Sequence, residues 1–108
     1  MKKTPDSLAD LGRFSEPALL ILISLADGPK HGYAMTQDIE AVSGQKLGPG
    51  TLYGAIARLE TRKWIEPLPA DDRRRPYRLT IAGQKVLRAR LESLRTMARV
   101  AQTRLADA

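Results

Sequence analysis

Three clusters of side chains in this sequence could do chemistry, and all three consist of hydrogen-bond donors and cations rather than nucleophiles. One is the run Arg73-Arg74-Arg75, which follows Asp71-Asp72 and precedes Pro76-Tyr77. A second is Gly50-Thr51-Leu52-Tyr53, with Arg58 and Lys63 farther along. The third is His31-Gly32-Tyr33. A guanidinium fork fits phosphate oxygens or a guanine edge. Threonine and tyrosine hydroxyls bond to phosphates or bases, and backbone amides such as those of Gly50 and Thr51 at a helix start favour an anion. The chemistry they point to is the holding of a polyanion, with Tyr33, Gly50, Thr51, Tyr53, Arg58, Lys63, Arg73, Arg74, Arg75 and Tyr77 as candidate contacts.

Other chemistries are poorly supplied. With one histidine, no cysteine and scattered acidic residues, the chain offers no convergent acid, base or nucleophile and no glycine loop for a nucleotide. A cysteine-ligated zinc or iron-sulfur site is excluded, and a lone histidine is a poor basis for any metal. The expectation is a binding protein with no catalytic residue, metal or cofactor. His31 reads as a helix cap or surface residue, and Trp64 as a ring packed beneath the hairpin beside Ile65.

The elements that must carry these groups follow from apolar spacing and breakers. Ser15, Glu16 and Pro17 read as an N-cap and first turn for a buried helix over 18–26, which stops at Asp27-Gly28-Pro29. Met35, Ile39 and Val42 recur at helical spacing over 34–42, before Ser43-Gly44. Gly48-Pro49-Gly50-Thr51 opens a third helix. Its dry face carries Leu52, Ile56 and Leu59, while Thr51, Tyr53, Arg58, Arg62 and Lys63 lie largely elsewhere. Two short extended runs, 64–68 and 77–80, flank the charged stretch 69–76 and predict a β-hairpin with a charged tip. Pro67 has no amide to donate, so pairing should be brief.

From Thr80, a good N-cap, the chain runs without proline to Ala108. Leu87, Leu91, Leu94, Ala98, Ala101 and Leu105 follow a 4-3-4-3-4 spacing, a coiled-coil-like seam on a helix of about 26 residues. A seam this long exceeds what one small domain needs, which favours pairing with a second copy. In the polar stretch 1–12, Leu8 and Leu11 mark a candidate helical arm that could cover a partner's seam.

Length and charge agree with this arrangement. A chain of 108 residues fits one compact unit, read here as a winged head over 1–79 and a dimerisation helix over 80–108. Its net charge is +6, distributed as about −1 over residues 1–47, +3 over 48–78 and +4 over 79–108. The positive field belongs to the second half, where the third helix and hairpin lie. No run approaches the roughly 18 apolar residues of a membrane span, and the lack of cysteine suits a reducing cytoplasm. The fold class expected is mainly α with a small β-hairpin: a winged helix-turn-helix plus a long C-terminal helix. In that architecture the third helix can enter the major groove of duplex DNA while the hairpin reaches backbone or minor groove.

Several short motifs in one order strengthen the reading. His31-Gly32-Tyr33, Gly50-Thr51-Leu52-Tyr53, Ala57-Arg58-Leu59-Glu60 leading to Trp64-Ile65, Asp72-Arg73-Arg74-Arg75-Pro76-Tyr77-Arg78-Leu79-Thr80 and Ala82-Gly83 together resemble the PadR-like family of transcriptional regulators. The resemblance covers roughly residues 15–87. It implies a winged-helix repressor, dimeric through its C-terminal helix, that binds an inverted repeat and is often released by a small-molecule effector. Gly54 is a departure, since the family commonly has proline after the tyrosine. The alternative function is a winged helix used for protein contact, an antirepressor or partner subunit without specific DNA binding.

Overall fold

The computed structural model describes residues 7–108. Its elements are α1 (Ser15–Leu25), α2 (Gly32–Ser43), α3 (Pro49–Thr61), β1 (Ile65–Pro67), β2 (Tyr77–Leu79) and α4 (Ile81–Ala106), preceded by a 3-10 segment at Leu8–Phe14. The order is the expected one, and the architecture is a winged helix-turn-helix with a long C-terminal helix.

α1 is apolar on nearly every side because it is surrounded. It touches the 3-10 segment, α2, α3, β2 and α4, and Ala18, Ile21, Leu22 and Leu25 are buried along it. Its one buried polar side chain is satisfied: Ser24 Oγ donates to Asp38 Oδ2 at 2.7 Å, which also fixes α2 against α1. Met35 and Ile39 of α2, Leu52, Ala55, Ile56 and Leu59 of α3, and Trp64 and Ile65 complete the core.

The start of α1 corrects the sequence reading. Ser15 is the first helical residue, with φ −65° and ψ −40°, and its amide donates to Gly12 O. An N-cap needs extended dihedrals to aim its side chain at the first free amides. Ser15 cannot do this, because the chain enters α1 directly from the 3-10 segment. Leu8 and Leu11 also differ from expectation. Both are buried in the core of their own chain, so neither is free to cover a partner's seam. Residues 1–6 of that candidate arm lie outside the described residues.

Other boundaries follow local rules. His31 caps α2, its Nδ1 accepting from Ala34 N. Gly44 ends the helix at φ 76°, a left-handed conformation that suits glycine. Gly48 and Pro49 open α3, with proline in the first turn, where its missing amide is harmless. α3 ends in paired bonds from Lys63 N to Glu60 O and from Trp64 N to Leu59 O, a Schellman motif that places Lys63 at φ 62°.

The hairpin is as short as Pro67 predicts. Ile65, Glu66 and Pro67 pair with Leu79, Arg78 and Tyr77. Tyr77 also exchanges two backbone bonds with Lys30, at 3.0 and 3.1 Å, so the loop before α2 adds an isolated bridge on the outer side of β2. The wing tip closes through reciprocal bonds between Asp71 and Arg74, with Asp72 at φ 55° and Arg73 at φ 69°.

Thr80 joins wing, α3 and α4. Its Oγ1 accepts from Gly83 N at 3.0 Å, the expected N-cap, and donates to Lys63 O at 2.7 Å. Gly83 permits this approach: a Cβ there would lie 2.0 Å from Trp64 O. Leu87, one turn on, is only 6% exposed and closes the core of its own chain. Beyond that turn the helix leaves the head, and the molecule reaches 55 Å in its longest dimension.

Candidate nucleic-acid interface

α3 has one wet face, set by its buried one. Leu52, Ala55, Ile56 and Leu59 point into the core. At 100° per residue the opposite stripe consists of Gly50, Gly54, Ala57 and Thr61, all small. Tyr53 and Glu60 flank it on one side, and Thr51, Arg58 and Arg62 on the other. The Thr61 hydroxyl donates back to Ala57 O. Gly54 is half-buried beside the Phe14 ring, and the rest of this smooth face can lie close to a flat or grooved surface, with hydrogen-bonding groups along its borders.

The open N-terminus of α3 supplies an anion-favouring field. Gly48 has no side chain with which to cap it, so the amides of Gly50 and Thr51 keep their donors for an outside acceptor. Tyr33 and Tyr53 stand nearby, 65% and 53% exposed. With Thr36, Lys46, Leu47, Pro49 and others they line a groove of about 500 Å³ at the α2–α3 junction. Tyr53 Oη leans over Gly32, where a Cβ would come within 2.3 Å of it. The His31-Gly32-Tyr33 and Gly50-Thr51-Leu52-Tyr53 motifs, far apart in sequence, thus meet at one place.

Arg58 is exposed but held. Its Nη1 donates to Gly54 O at 2.9 Å, and its guanidinium lies 3.8 Å from the centre of the Phe14 ring. Lys63 sits at the far end of α3 in the Schellman turn, exposed.

Arg73, Arg74 and Arg75 are all exposed on the wing, in three different settings. Arg73 makes no hydrogen bond or ion pair among the described residues, whereas Arg75 Nη1 donates to Leu68 O and braces the hairpin. Arg74 Nη1 lies 3.3 Å from His31 Nε2, which brings the wing tip to the start of α2. Tyr77 differs from the other candidates: it is half-buried, bonded to Lys30 through the backbone and packed on the core. Burial raises its phenol above the ordinary tyrosine value, with the Glu60 carboxylate adding to the effect and Arg75 opposing it.

On α4, the expected seam divides. Leu87 belongs to the head, while Leu91 is 42% exposed, Leu94 half-buried, and Ala98, Ala101 and Leu105 exposed. Met97, 51% exposed, adjoins Leu94 and Ala101 on the helix surface and widens the apolar face. Sequence spacing missed Met97 because it breaks the strict 4-3 alternation. It missed Lys30 because a backbone rung leaves no side-chain signature. Phe14 was also missed, although an aromatic residue beside a predicted helix start is a signal that could have found it.

The family model for the "Transcriptional regulator PadR-like family" matches residues 21–89, more than half of the chain. The chain belongs to the PadR-like family of transcriptional regulators. It is 38% identical over 84 residues to the transcriptional regulator Rv3488 of Mycobacterium tuberculosis, covering 75% of this chain and 78% of that one. It is 46% identical over 96 residues to an uncharacterised 37.1 kDa protein in transposon Tn4556 of Streptomyces fradiae. That match takes in 88% of this chain but only 28% of the relative, so the chain spans little more than a quarter of that protein's length. Among solved structures, a transcriptional regulator from Clostridium thermocellum superposes with a TM-score of 0.73 at 28% identity, covering 88% of this chain and 94% of that one. This PadR-like chain has, among its described residues, no helix long and apolar enough to cross a membrane.

Proposed function

We propose that this PadR-like regulator is a sequence-specific DNA-binding repressor that acts in the cytoplasm as a homodimer on an inverted-repeat operator. The observation that carries the reading is the single surface formed by the smooth face of α3, its uncapped N-terminus and the exposed tyrosines Tyr33 and Tyr53. A helix with small residues outward can approach the floor of the major groove, while donors on its borders and at its N-terminus meet phosphates and base edges. The wing arginines reach the neighbouring backbone or a narrow minor groove. Residues 1–79 form the reading head, and α4 pairs two heads through Leu91, Leu94, Ala98, Ala101 and Leu105, with Met97 beside them. A small-molecule effector that bound one spacing of the heads better than another would release the operator.

Fluorescence anisotropy against a duplex from upstream of the protein's own gene, beside a scrambled duplex and over a range of salt, tests this reading. Tight binding of one dimer to the native duplex is expected. Equal, weak binding to both duplexes that vanishes at physiological salt would overturn it in favour of a protein-contact role.

A further inference from the structure

Phe14 lies outside every motif of the reading surface, yet its ring is built into that surface. The 3-10 segment carries it to the border of α3, where its Cε1 lies 2.8 Å from the position a Cβ on Gly54 would occupy. Most side chains at residue 54 would therefore crowd the ring, and glycine leaves room for it. The space beside Gly54 is filled by an aromatic ring from another element.

The ring engages Arg58. The guanidinium carbon sits 3.8 Å from the ring centre, close enough for a strong cation–π contact, and Nη1 is fixed to Gly54 O at 2.9 Å. Arg13 approaches the same ring at a looser 5.2 Å. A guanidinium has five N–H donors. Stacking uses its flat face, and the Gly54 bond uses one donor, so the remaining N–H groups stay free at the edge. A long side chain that would otherwise sample many rotamers is held in one. Ordering a flexible side chain on binding has an entropic cost, which the ring meets in advance.

We propose that Phe14 is a positioning residue for DNA sequence recognition: it holds Arg58 against the space left by Gly54, so that the free guanidinium edge is presented to a base. This rests on the DNA-binding reading above and adds a specificity determinant contributed from outside the helix-turn-helix. A Cβ at residue 54 would push the Phe14 ring out of this seat.

The test uses the full-length protein and the native and scrambled duplexes. Phe14→Leu keeps apolar bulk but removes the ring face. It should weaken native-duplex binding about tenfold, in the range set by one well-made base contact, while scrambled-duplex binding, governed by phosphates, changes less than about twofold. Arg58→Ala should lower the same ratio, and the double variant should be no worse than Arg58→Ala alone. Phe14→Tyr, which keeps a ring face, should restore the ratio. If Phe14→Leu fails to fold by circular dichroism, Gly54→Ala serves instead, alone and together with Arg58→Ala: alanine favours the helix and its methyl displaces the ring, so discrimination should fall in the single variant and no further than Arg58→Ala in the double one. Unchanged discrimination in the folded variants, or additive effects in the double variant, would overturn the positioning role alone. A wild-type protein that cannot tell the two duplexes apart would overturn both the sequence-specific reading and the role of Phe14.

Discussion

The winged head and the outer part of α4 solve opposite problems with the same kinds of residue. In the head, each large apolar side chain of α1 and α3 finds a neighbour in its own chain, and even the buried Ser24 hydroxyl has a partner. Past Leu87 the helix still presents Leu91, Met97 and Leu105, the last 75% exposed, with nothing over them. A contiguous apolar face that its own chain leaves uncovered is a surface for association, whereas a core this closed is a finished scaffold. In the proposed dimer, folding would belong to the head and assembly to the helix, and substitutions can separate the two.

The largest effect expected is on assembly. Ala98→Asp puts a charge in the middle of the exposed seam, and the dimer should dissociate at least a hundredfold more readily by analytical ultracentrifugation, about 3 kcal/mol, with the unfolding temperature of the head nearly unchanged. A variant that remains dimeric would move the interface away from this face. Gly83→Ala should do the reverse. With its Cβ driven toward Trp64 O, it should cost about 2–3 kcal/mol in chemical denaturation, because the obstacle is backbone rather than a movable side chain. A stability close to wild type would show that α4 is not seated on the head as described.

Replacing Arg73, Arg74 and Arg75 with alanine is expected to leave folding and assembly almost intact and to flatten the dependence of DNA affinity on salt. The log–log slope should fall by about 0.9 for each phosphate that the wing no longer neutralises, and an unchanged slope would take the wing off the DNA. Lys63→Gly should give the smallest change and one of opposite sign. Relief of a left-handed non-glycine residue should add about 0.5–1 kcal/mol to stability, even where removal of the amine weakens the hold on one phosphate.

Much of the element order was legible in the sequence, for specific reasons. Thr80 and Gly44 announced the start of α4 and the end of α2, because a cap and a left-handed stop depend on residue type. The apolar spacing of α4 gave its length. Spacing shows which side chains share a face but not what covers that face, and this is where the reading departed from the structure. Leu87 lies in line with the seam but is covered by its own head, and Leu8 and Leu11 turn into their own core. The misplaced cap at Ser15 has a related origin, since the sequence gives no sign that a 3-10 turn leads directly into α1. At the candidate interface, residue types marked Tyr33, Thr51, Tyr53 and the arginines as candidate contacts, but not the links between them. The reach of Tyr53 over Gly32, the Phe14–Arg58 stack and the Lys30–Tyr77 rung all depend on chain paths that meet only in three dimensions.

The double bond of Thr80 Oγ1, given to Lys63 O and received from Gly83 N, has a mechanical meaning. It joins the last turn of α3 to the first turn of α4 with no intervening loop to absorb motion, so the two helices share a stiff hinge pin. α4 is a lever about 39 Å long. A tilt of about 5° at that pin moves its far end by about 3 Å, comparable to the rise of one base pair along DNA. In the proposed dimer the leverage would also run in reverse: a small shift between the paired α4 helices would tilt each head, with the Thr80 hydroxyl in the link between them.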